Sequence, residues 1–322
     1  MVKAICLFSG GLDSILAVKL MQEQDIEVVG VFFDSPFYPR IDVKDIAKKL
    51  GIRLKIVKIG NDYFKILRKP KHGYGKYMNP CIDCRIYMLK KAWIIGKKLG
   101  ASFIVTGEVV GERPMSQSLK TLRIIDKESK LEGLILRPLS AKFFPETIPE
   151  KKGMVEKEKL LNIKGRSRKK QLELAKKFGI DYYPSPSGGC LLTDKEYAKK
   201  VKDLLEHKKR LDMRDLELLR YGRHFRAGKN KIIVGRNKEE NKKLLELKRK
   251  TDYIFEVVDA PGPVTILQGP KTKDAIKLAA SITARYSDAT RKNVVVKYGK
   301  KKPIRKINVS QCETNILNKL RL

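Results

Sequence analysis

Short apolar runs alternate with amphipathic stretches along the first part of the chain. Ile5-Cys6-Leu7-Phe8 is continuously apolar, as a buried parallel strand is. It breaks at Ser9-Gly10-Gly11 and resumes as an amphipathic helix whose apolar positions are Ile15, Leu16, Val18, Leu20 and Met21. Glu27–Phe33 is a second strand, ending at Asp34; Val43–Leu50 is a short helix closed by Gly51; Arg53–Val57 is a third strand. This rhythm predicts an α/β domain with a doubly wound, mostly parallel sheet. Asn61–Asn79, basic and rich in glycine and tyrosine, reads as a loop or lid. Asn79-Pro80 signals a helix start, with Asn as N-cap and Pro at the first helical position, and Cys81–Leu99 is the helix, closed by Gly100. Ser102–Val105 is a strand, Ser116–Ile125 helical, Leu134–Leu139 an apolar run and Ser167–Phe178 a basic helix. Asp181–Asp194, with two prolines and Gly188-Gly189, is an irregular loop, and Asp194–His207 a bridging helix.

From about Leu216 the pattern changes. Lys231–Val234, Ile254–Val258, Val264–Leu267 and Asn293–Val296 read as short strands, Lys273–Tyr286 as a helix, and Pro261-Gly262-Pro263 forces a turn. The expectation is a smaller α+β domain. The boundaries read as 1–194 for the α/β domain, 195–215 for a linking helix and 216–322 for the second domain.

A chain of 322 residues, 42% hydrophobic, holds about two cored domains. No run approaches the ~18 apolar residues of a membrane span, and the first segment is a strand rather than a signal peptide, so the expected setting is cytoplasmic with no membrane. Charge changes the picture more. The formal net charge is +35; from Lys195 onward 34 basic residues stand against 15 acidic, net +19, which leaves +16 for the rest. Both parts are basic, as in a protein that grips a large polyanion along its length. The lysine-rich surface of a thermophile is the bland alternative, but Glu does not rise in step with Lys. Five cysteines, an odd count, argue against a disulfide framework. Cys6 reads as a small core residue, and Cys312 is given no role.

A strand that turns through paired glycines into a helix makes an anion site, because the backbone can approach closely and free N–H groups point at the ligand. Ser9 and Ser14 add hydroxyls. The Rossmann glycine pattern and the Walker lysine are both absent. Ligands of open α/β sheets sit at the strand C-termini, so Phe32, Phe33 and Asp34 either flank an adenine or ribose or are plain strand-end packing. Thr106-Gly107-Glu108 is a second wall of the same site. Cys81 and Cys84 fall on one helix face at i, i+3, where the helix dipole and cationic surroundings favour thiolate. Cys190 follows the flexible Ser187-Gly188-Gly189. Three soft ligands leave one position open on a four-iron cluster; a zinc completed by His72 and a metal-free thiol pair are the other readings.

Ser9-Gly10-Gly11-Leu12-Asp13-Ser14 matches the S-G-G-x-D-S loop of the PP-loop ATP pyrophosphatases, a resemblance that implies cleavage of ATP to AMP and pyrophosphate with adenylation of a substrate oxygen. Thr106-Gly107-Glu108, Ser116-Gln117-Ser118, Leu122-Arg123-Ile124-Ile125-Asp126 and Leu134-Ile135-Leu136-Arg137-Pro138-Leu139 resemble the T-G-E, S-Q-T, L-R-x-I-D and L-R-P-L stretches of the tRNA 4-thiouridine synthases. Ser118 departs from the family's Thr but keeps the hydroxyl. The set Cys81, Cys84 and Cys190 is similar to that of the iron–sulfur-dependent 2-thiouridine-type thiolation enzymes. Leu218–Val309 resembles the RNA-binding domain of the NFACT proteins through Gly235-Arg236-Asn237, Asn241, the Val264 strand and the Ala279-Ala280-Ser281 helix.

The resemblances imply an ATP-dependent tRNA sulfurtransferase. Ser9, Gly10, Gly11 and Ser14 would hold the pyrophosphate, Asp13 would place Mg²⁺ or orient the loop, and Phe33, Thr106, Gly107 and Gln117 would line the nucleotide, with Ser116 near the reacting phosphate or base. Cys81, Cys84 and Cys190 would hold a 4Fe–4S cluster. The implied partners are tRNA and a sulfur donor, sulfide or a sulfur-carrier protein; a homodimer is allowed, and the modified atom, C2 or C4, stays open. The rival readings are an amide- or nitrile-forming PP-loop ligase with a structural metal, and an RNA-binding protein with a vestigial nucleotide site.

Overall fold

The computed structural model describes residues 1–38, 41–184 and 189–322, which divide into two compact units, Met1–Thr193 and Asp194–Leu322. In the first unit the strands are β1 (Lys3–Leu7), β2 (Glu27–Asp34), β3 (Arg53–Lys58), β4 (Phe103–Thr106) and β5 (Ile135–Leu136). The helices are α1 (Leu12–Gln22), α2 (Val43–Lys49), α3 (Tyr63–Arg68), α4 (Cys81–Lys98), α5 (Leu119–Ser129), α6 (Ile148–Lys151) and α7 (Lys169–Lys177). All strand pairs are parallel, in the order β3-β2-β1-β4-β5.

Alternation along β1 explains why both sheet faces are covered. Ala4, Cys6 and Phe8 join the core shared with α1, whereas Ile5 faces Gly96 of α4, where a Cβ would come within 3.2 Å of it. Burial pushes the Cys6 thiol up to about 12, in keeping with a core residue. The edge strand β3 carries exposed Arg53, Lys55 and Lys58, charges that discourage edge pairing. The chain winds one way through β2 and β3 and the other way to β4 and β5, so the switch point lies between β1 and β4.

Several expectations are corrected. α1 is not amphipathic: Leu12, Ser14–Val18, Leu20 and Met21 are buried, leaving few open positions, because α7 covers the side away from the sheet. Residues 61–79 are not a free lid. They contain α3, and the stretch after it is tied down by Asp83, which accepts from the amides of Lys71 (3.1 Å) and His72 (3.0 Å). Pro80, not Asn79, takes the capping place of α4. Ser118 caps α5, accepting from the Thr121 amide at 3.1 Å, so that helix starts later than Ser116. Within Leu134–Leu139 just two residues pair as a strand, since Arg137 is drawn into a buried charge network and Pro138 offers no N–H.

The second unit opens with α8 (Lys195–His207) and α9 (Met213–Leu218) and continues through β6 (Arg223–Ala227), β7 (Asn230–Val234), α10 (Lys238–Leu247), β8 (Tyr253–Val257), β9 (Thr265–Gln268), α11 (Lys273–Arg285), β10 (Asn293–Gly299), β11 (Arg305–Ser310) and α12 (Thr314–Leu320). Its six strands are antiparallel, ordered β11-β10-β8-β9-β7-β6. α11 lays Ala275, Ala279, Ala280 and Ile282 on one face, with Cys312 in that core, while Leu244 of α10 meets Ile233 and Ile266 on the other. α8 packs within this unit: Asp203 accepts from Arg226 (2.7 and 2.8 Å) and Lys231 (3.0 Å). Asn241 fastens the turn after β7 to β9 by accepting from the Val264 amide at 3.0 Å, and its amide oxygen fills the space a side chain at Gly235 would need. Among the described residues no helix is long and apolar enough to cross a membrane.

Candidate active site

The loop from β1 into α1 lies beyond the carboxyl ends of the strands at the switch point, where open parallel sheets bind ligands. Leu7 is in register with Val31 of β2 and Thr106 of β4, so residues after these positions surround the loop. Gly10 has φ +73, and a Cβ there would meet Ile41, Val43 and Ile46 at 3.1–3.6 Å; both facts require glycine. Ser14 is buried in the first turn of α1 and donates to Gly11 O at 2.8 Å, with Ser9 Oγ 3.3 Å from its hydroxyl. Ser9 is exposed. The sequence-derived set Ser9, Gly10, Gly11, Asp13 and Ser14 therefore sits on one turn, and Gly107 closes against it from β4. Phe33 is buried near the end of β2.

Asp13 is the unsatisfied member. Among the described residues its Oδ1 is buried with no hydrogen-bond partner, as are Arg168 Nε and both polar atoms of Gln171. Burial pushes the Asp13 carboxyl above its usual range, against Arg168, the Gln171 amide and Arg113, which pull it down. Glu112 is likewise raised by burial and by Asp13. Two carboxylates and two arginines thus face the Gly-rich turn. A divalent cation fits the orphaned Asp13 oxygen, and anionic phosphate suits the arginines. None of Glu112, Arg113, Arg168 and Gln171 was signalled by spacing: they become neighbours of Asp13 through folding of the loop after β4 and of α7.

Thr106 and Gln117 have internal partners. Thr106 donates to Glu108 Oε2 at 3.0 Å. Gln117 Oε1 accepts from the Arg113 amide at 3.1 Å, and its backbone carbonyl accepts from Gly111 at 2.8 Å, bracing the loop that carries Arg113. Glu108 is ion-paired on both oxygens: Arg85 Nε stands 3.0 Å from Oε1, without hydrogen-bond geometry, and Arg137 Nε donates to Oε2 at 3.0 Å. Arg137 also forks onto Asp126, at 2.9 and 2.6 Å. The family-like T-G-E, L-R-x-I-D and L-R-P-L stretches therefore meet in one buried network, a pairing the sequence could not disclose. Arg85 and Arg137 outweigh burial and hold the Glu108 carboxyl below its usual range.

Cys190 lies in the electrostatic field of Cys84 and Cys81, and Cys81 in that of Cys84. Cys81 opens α4 and Cys84 lies one turn on, buried, with Tyr38 Oη 3.7 Å from its sulfur. Cys190 arrives from over a hundred residues away because Leu191 N donates to Phe37 O (2.7 Å) and Leu192 O accepts from Met78 N (3.3 Å). Ser187 and Gly188 before it lie outside the described residues. The expected thiolate bias is not found. Burial raises Cys81 despite Arg85 and Arg113, and pushes Cys190 up to about 12. Nor is His72 a zinc ligand in waiting: its ring nitrogens face Asp83 (3.3 Å) and Glu128 (3.0 Å). Among the described residues no group of three or more His, Cys, Asp or Glu side chains is gathered so as to hold a metal ion. Thiols with arginines near them are the donor type that a soft metal or an iron–sulfur cluster takes, and its charge would take the protons off.

Residues 1–143 match the family described as thiamine biosynthesis protein (ThiI), and residues 222–321 match the NFACT protein RNA binding domain. The chain is 32% identical over 146 residues to a probable tRNA sulfurtransferase of Thermococcus kodakarensis, covering 42% of this chain and 36% of that protein. It is 29% identical over 156 residues to the tRNA-specific 2-thiouridylase MnmA of Haemophilus influenzae, covering 44% and 40%. The match thus spans well under half the length of these relatives. A crystal structure of a 4-thiouridine synthetase–RNA complex with bound ATP aligns over 67% of this chain and 52% of that one, at 24% identity and TM-score 0.38. The chain is therefore similar to the ThiI family over its first 143 residues and to the NFACT RNA binding domain over residues 222–321.

Proposed function

We propose that this protein is an ATP-dependent tRNA thiolase that adenylates a uridine carbonyl oxygen and replaces it with sulfur. The observation that carries the reading is the Gly-rich turn at the switch point, with its orphaned Asp13 oxygen and the arginines beside it. The pyrophosphate of ATP rests on the amides opening α1 and on the Ser9 and Ser14 hydroxyls. Phe33, Thr106 and Gly107 flank the nucleotide; Gln117, with Ser116, supports the loop that brings Arg113. Asp13, with Glu112 near it, would hold Mg²⁺, which would offset phosphate charge. The uridine oxygen attacks the α-phosphate, the bond to pyrophosphate breaks, and Arg113 and Arg168 stabilise the charge that develops. Sulfur from sulfide or a carrier protein then takes the carbon, and AMP leaves with the oxygen.

Cys81, Cys84 and Cys190 would hold a 4Fe–4S cluster, which supplies the activated sulfur when bound. The second unit holds tRNA by its phosphates, which positions the substrate without reading sequence. An amide- or nitrile-forming ligase needs no RNA, and the net +35 together with the NFACT-type match stands against it. The test is ATP–pyrophosphate exchange and AMP release, with and without bulk tRNA, for the wild type and Asp13→Ala. tRNA-dependent AMP release that Asp13→Ala abolishes, with tRNA affinity kept within a few-fold, is the expected result. AMP release that persists in the variant would remove the turn from the chemistry, and release indifferent to tRNA would favour the ligase.

A further inference from the structure

The longest acid-free stretch of the second unit lies between Asp288 and Glu313. It holds eight lysines and arginines. Six of them, Lys297, Lys300, Lys301, Lys302, Arg305 and Lys306, belong to the β10–β11 hairpin, and all but Lys297 are exposed. Among the described residues Lys297 alone of these six has an ion-pair partner, Glu256 of β8 at 3.0 Å.

The register makes this costly. Lys297 stands opposite Glu256 on one side and opposite Lys306 on the other. Like charges set directly across a strand pair destabilise it. One carboxylate serves two facing lysines, and nothing in the unit neutralises the second. Lys300 adds a further like charge near the half-buried Lys271, whose ammonium is held low by burial first and, against the pull of Asp252, by Lys300 in addition. Edge protection explains one or two charges on β11, since an edge strand needs discouraging from pairing. It does not explain a lysine placed across from a lysine.

Apolar groups accompany the charge. Tyr298, in register with Arg305, stacks on Phe255 at 5.6 Å and 14°, and lies 6.1 Å from Tyr253. Tyr298 and Tyr253 are half-buried, each leaving some ring to solvent. Ile304, beside the turn, is 79% exposed. Tyr298 and Arg305 share the Phe255 face while Lys297 and Lys306 lie on the other. The hairpin thus carries cations on both faces, with an aromatic edge on one and a free apolar side chain by the turn, a combination that matches single-stranded or looped RNA.

We infer that the β10–β11 hairpin is the RNA grip of the second unit, with Lys300–Lys302, Arg305 and Lys306 on phosphates and the Tyr298 edge against a base. The inference rests on the RNA-binding role proposed above and locates it. Bound phosphate relieves the repulsion between Lys297 and Lys306, so the hairpin is more stable with RNA than without.

The experiment measures affinity of the full chain for bulk tRNA between 50 and 200 mM salt. The variants are Lys300→Gln with Lys301→Gln and Lys302→Gln, single Lys306→Glu, and a control of Lys229→Gln with Lys238→Gln and Lys242→Gln, three exposed lysines elsewhere in the unit. Losing three phosphate contacts should lower the slope of log affinity against log salt by about 2–3, and weaken binding at least ~tenfold at the lower salt, whereas the control should move the slope by less than about 1. Lys306→Glu should pair with Lys297, raising the melting temperature while lowering tRNA affinity. A triple variant with wild-type slope and affinity, or a control that loses as much, overturns the hairpin assignment alone. A wild type that does not bind tRNA overturns the RNA role itself. Binding to phosphatidylserine–phosphatidylcholine vesicles that the triple variant abolishes, while tRNA binding stands, would reassign the hairpin to a membrane surface.

Discussion

Gly107 lies against the backbone of Asp13: a Cβ built on it would stand 2.5 Å from the Asp13 carbonyl carbon and 2.6 Å from Ser14 N. Backbone cannot yield as a side-chain tip can, so Gly107→Ala must push β4's loop and the first turn of α1 apart. That turn supplies the amides of the anion site. Gly107→Ala should lower ATP affinity at least ~tenfold and cost about 1–3 kcal/mol of stability, the usual range for overpacking. Gly100→Ala is the control. Gly100 has φ +71 with nothing within 4 Å, so it should cost about 1 kcal/mol through backbone strain and leave ATP affinity unchanged. Isothermal titration with a non-hydrolysable ATP analogue, beside chemical denaturation, separates the two.

Arg137 is the hinge of the buried network, with its side chain 2% exposed and bonds to both Glu108 and Asp126. Arg137→Met leaves Glu108 with Arg85 alone and Asp126 without its cation. Breaking a buried pair by removing one partner costs about 3–5 kcal/mol, because the remaining charge is uncompensated. Denaturant unfolding should show a loss of that size. Glu108→Gln with Arg137→Met should lose less than the sum of the single changes, since residues sharing one network couple.

The acid limb follows from Glu108. Its folded-state carboxyl is held below the ordinary 4.5 by Arg85 and Arg137 against burial. Such a group contributes stability that is fully present above the unfolded value and is lost as pH falls through the folded one. Asp126 is raised by burial and so acts in the opposite sense, which makes the wild-type curve alone a poor reporter. Because Glu108 helps to raise Asp126, the term is isolated by the difference that Glu108→Gln makes in an Asp126→Asn background. It should be constant above about pH 4.5 and shrink below it; a difference that grows on acidification would refute the assignment.

The parallel sheet and the Gly-rich turn were legible because continuous apolar runs and a strand–Gly–helix order are local signals. The charge network was not, because Glu108, Asp126 and Arg137 meet only after β4, α5 and β5 are side by side. Each looked like a motif letter with no partner. α1 misled for a related reason: its apolar positions fit one helical face, and burial of the others by α7 is invisible to periodicity. β6 and β11 escaped notice since Arg223–Ala227 and Arg305–Ser310 are rich in cations and too polar to read as core strands. Cys190 could be grouped with Cys81 and Cys84 by residue type. The bonds from Leu191 and Leu192 that carry it there could not be read from the chain.

The cysteines give the last prediction. Cys81 and Cys190 are raised by burial, so as free thiols they stay protonated near neutral pH and make poor nucleophiles. A coordinated cation is what would ionise them. Cys6 and Cys312 are separated from them by role: each packs in a core, Cys6 with Ala4 and Phe8, and Cys312 with α11's alanines. Protein purified without oxygen should be brown and carry about four irons and four acid-labile sulfides per chain, as one 4Fe–4S centre requires. Cys6→Ser and Cys312→Ser should keep the colour while lowering stability. Cys81→Ser, Cys84→Ser and Cys190→Ser should each lose it. Stoichiometric zinc without labile sulfide would replace the cluster by a structural metal. Iron retained in all three single variants would show that these thiols are not its ligands, and sulfur delivery would then have to be sought outside this set.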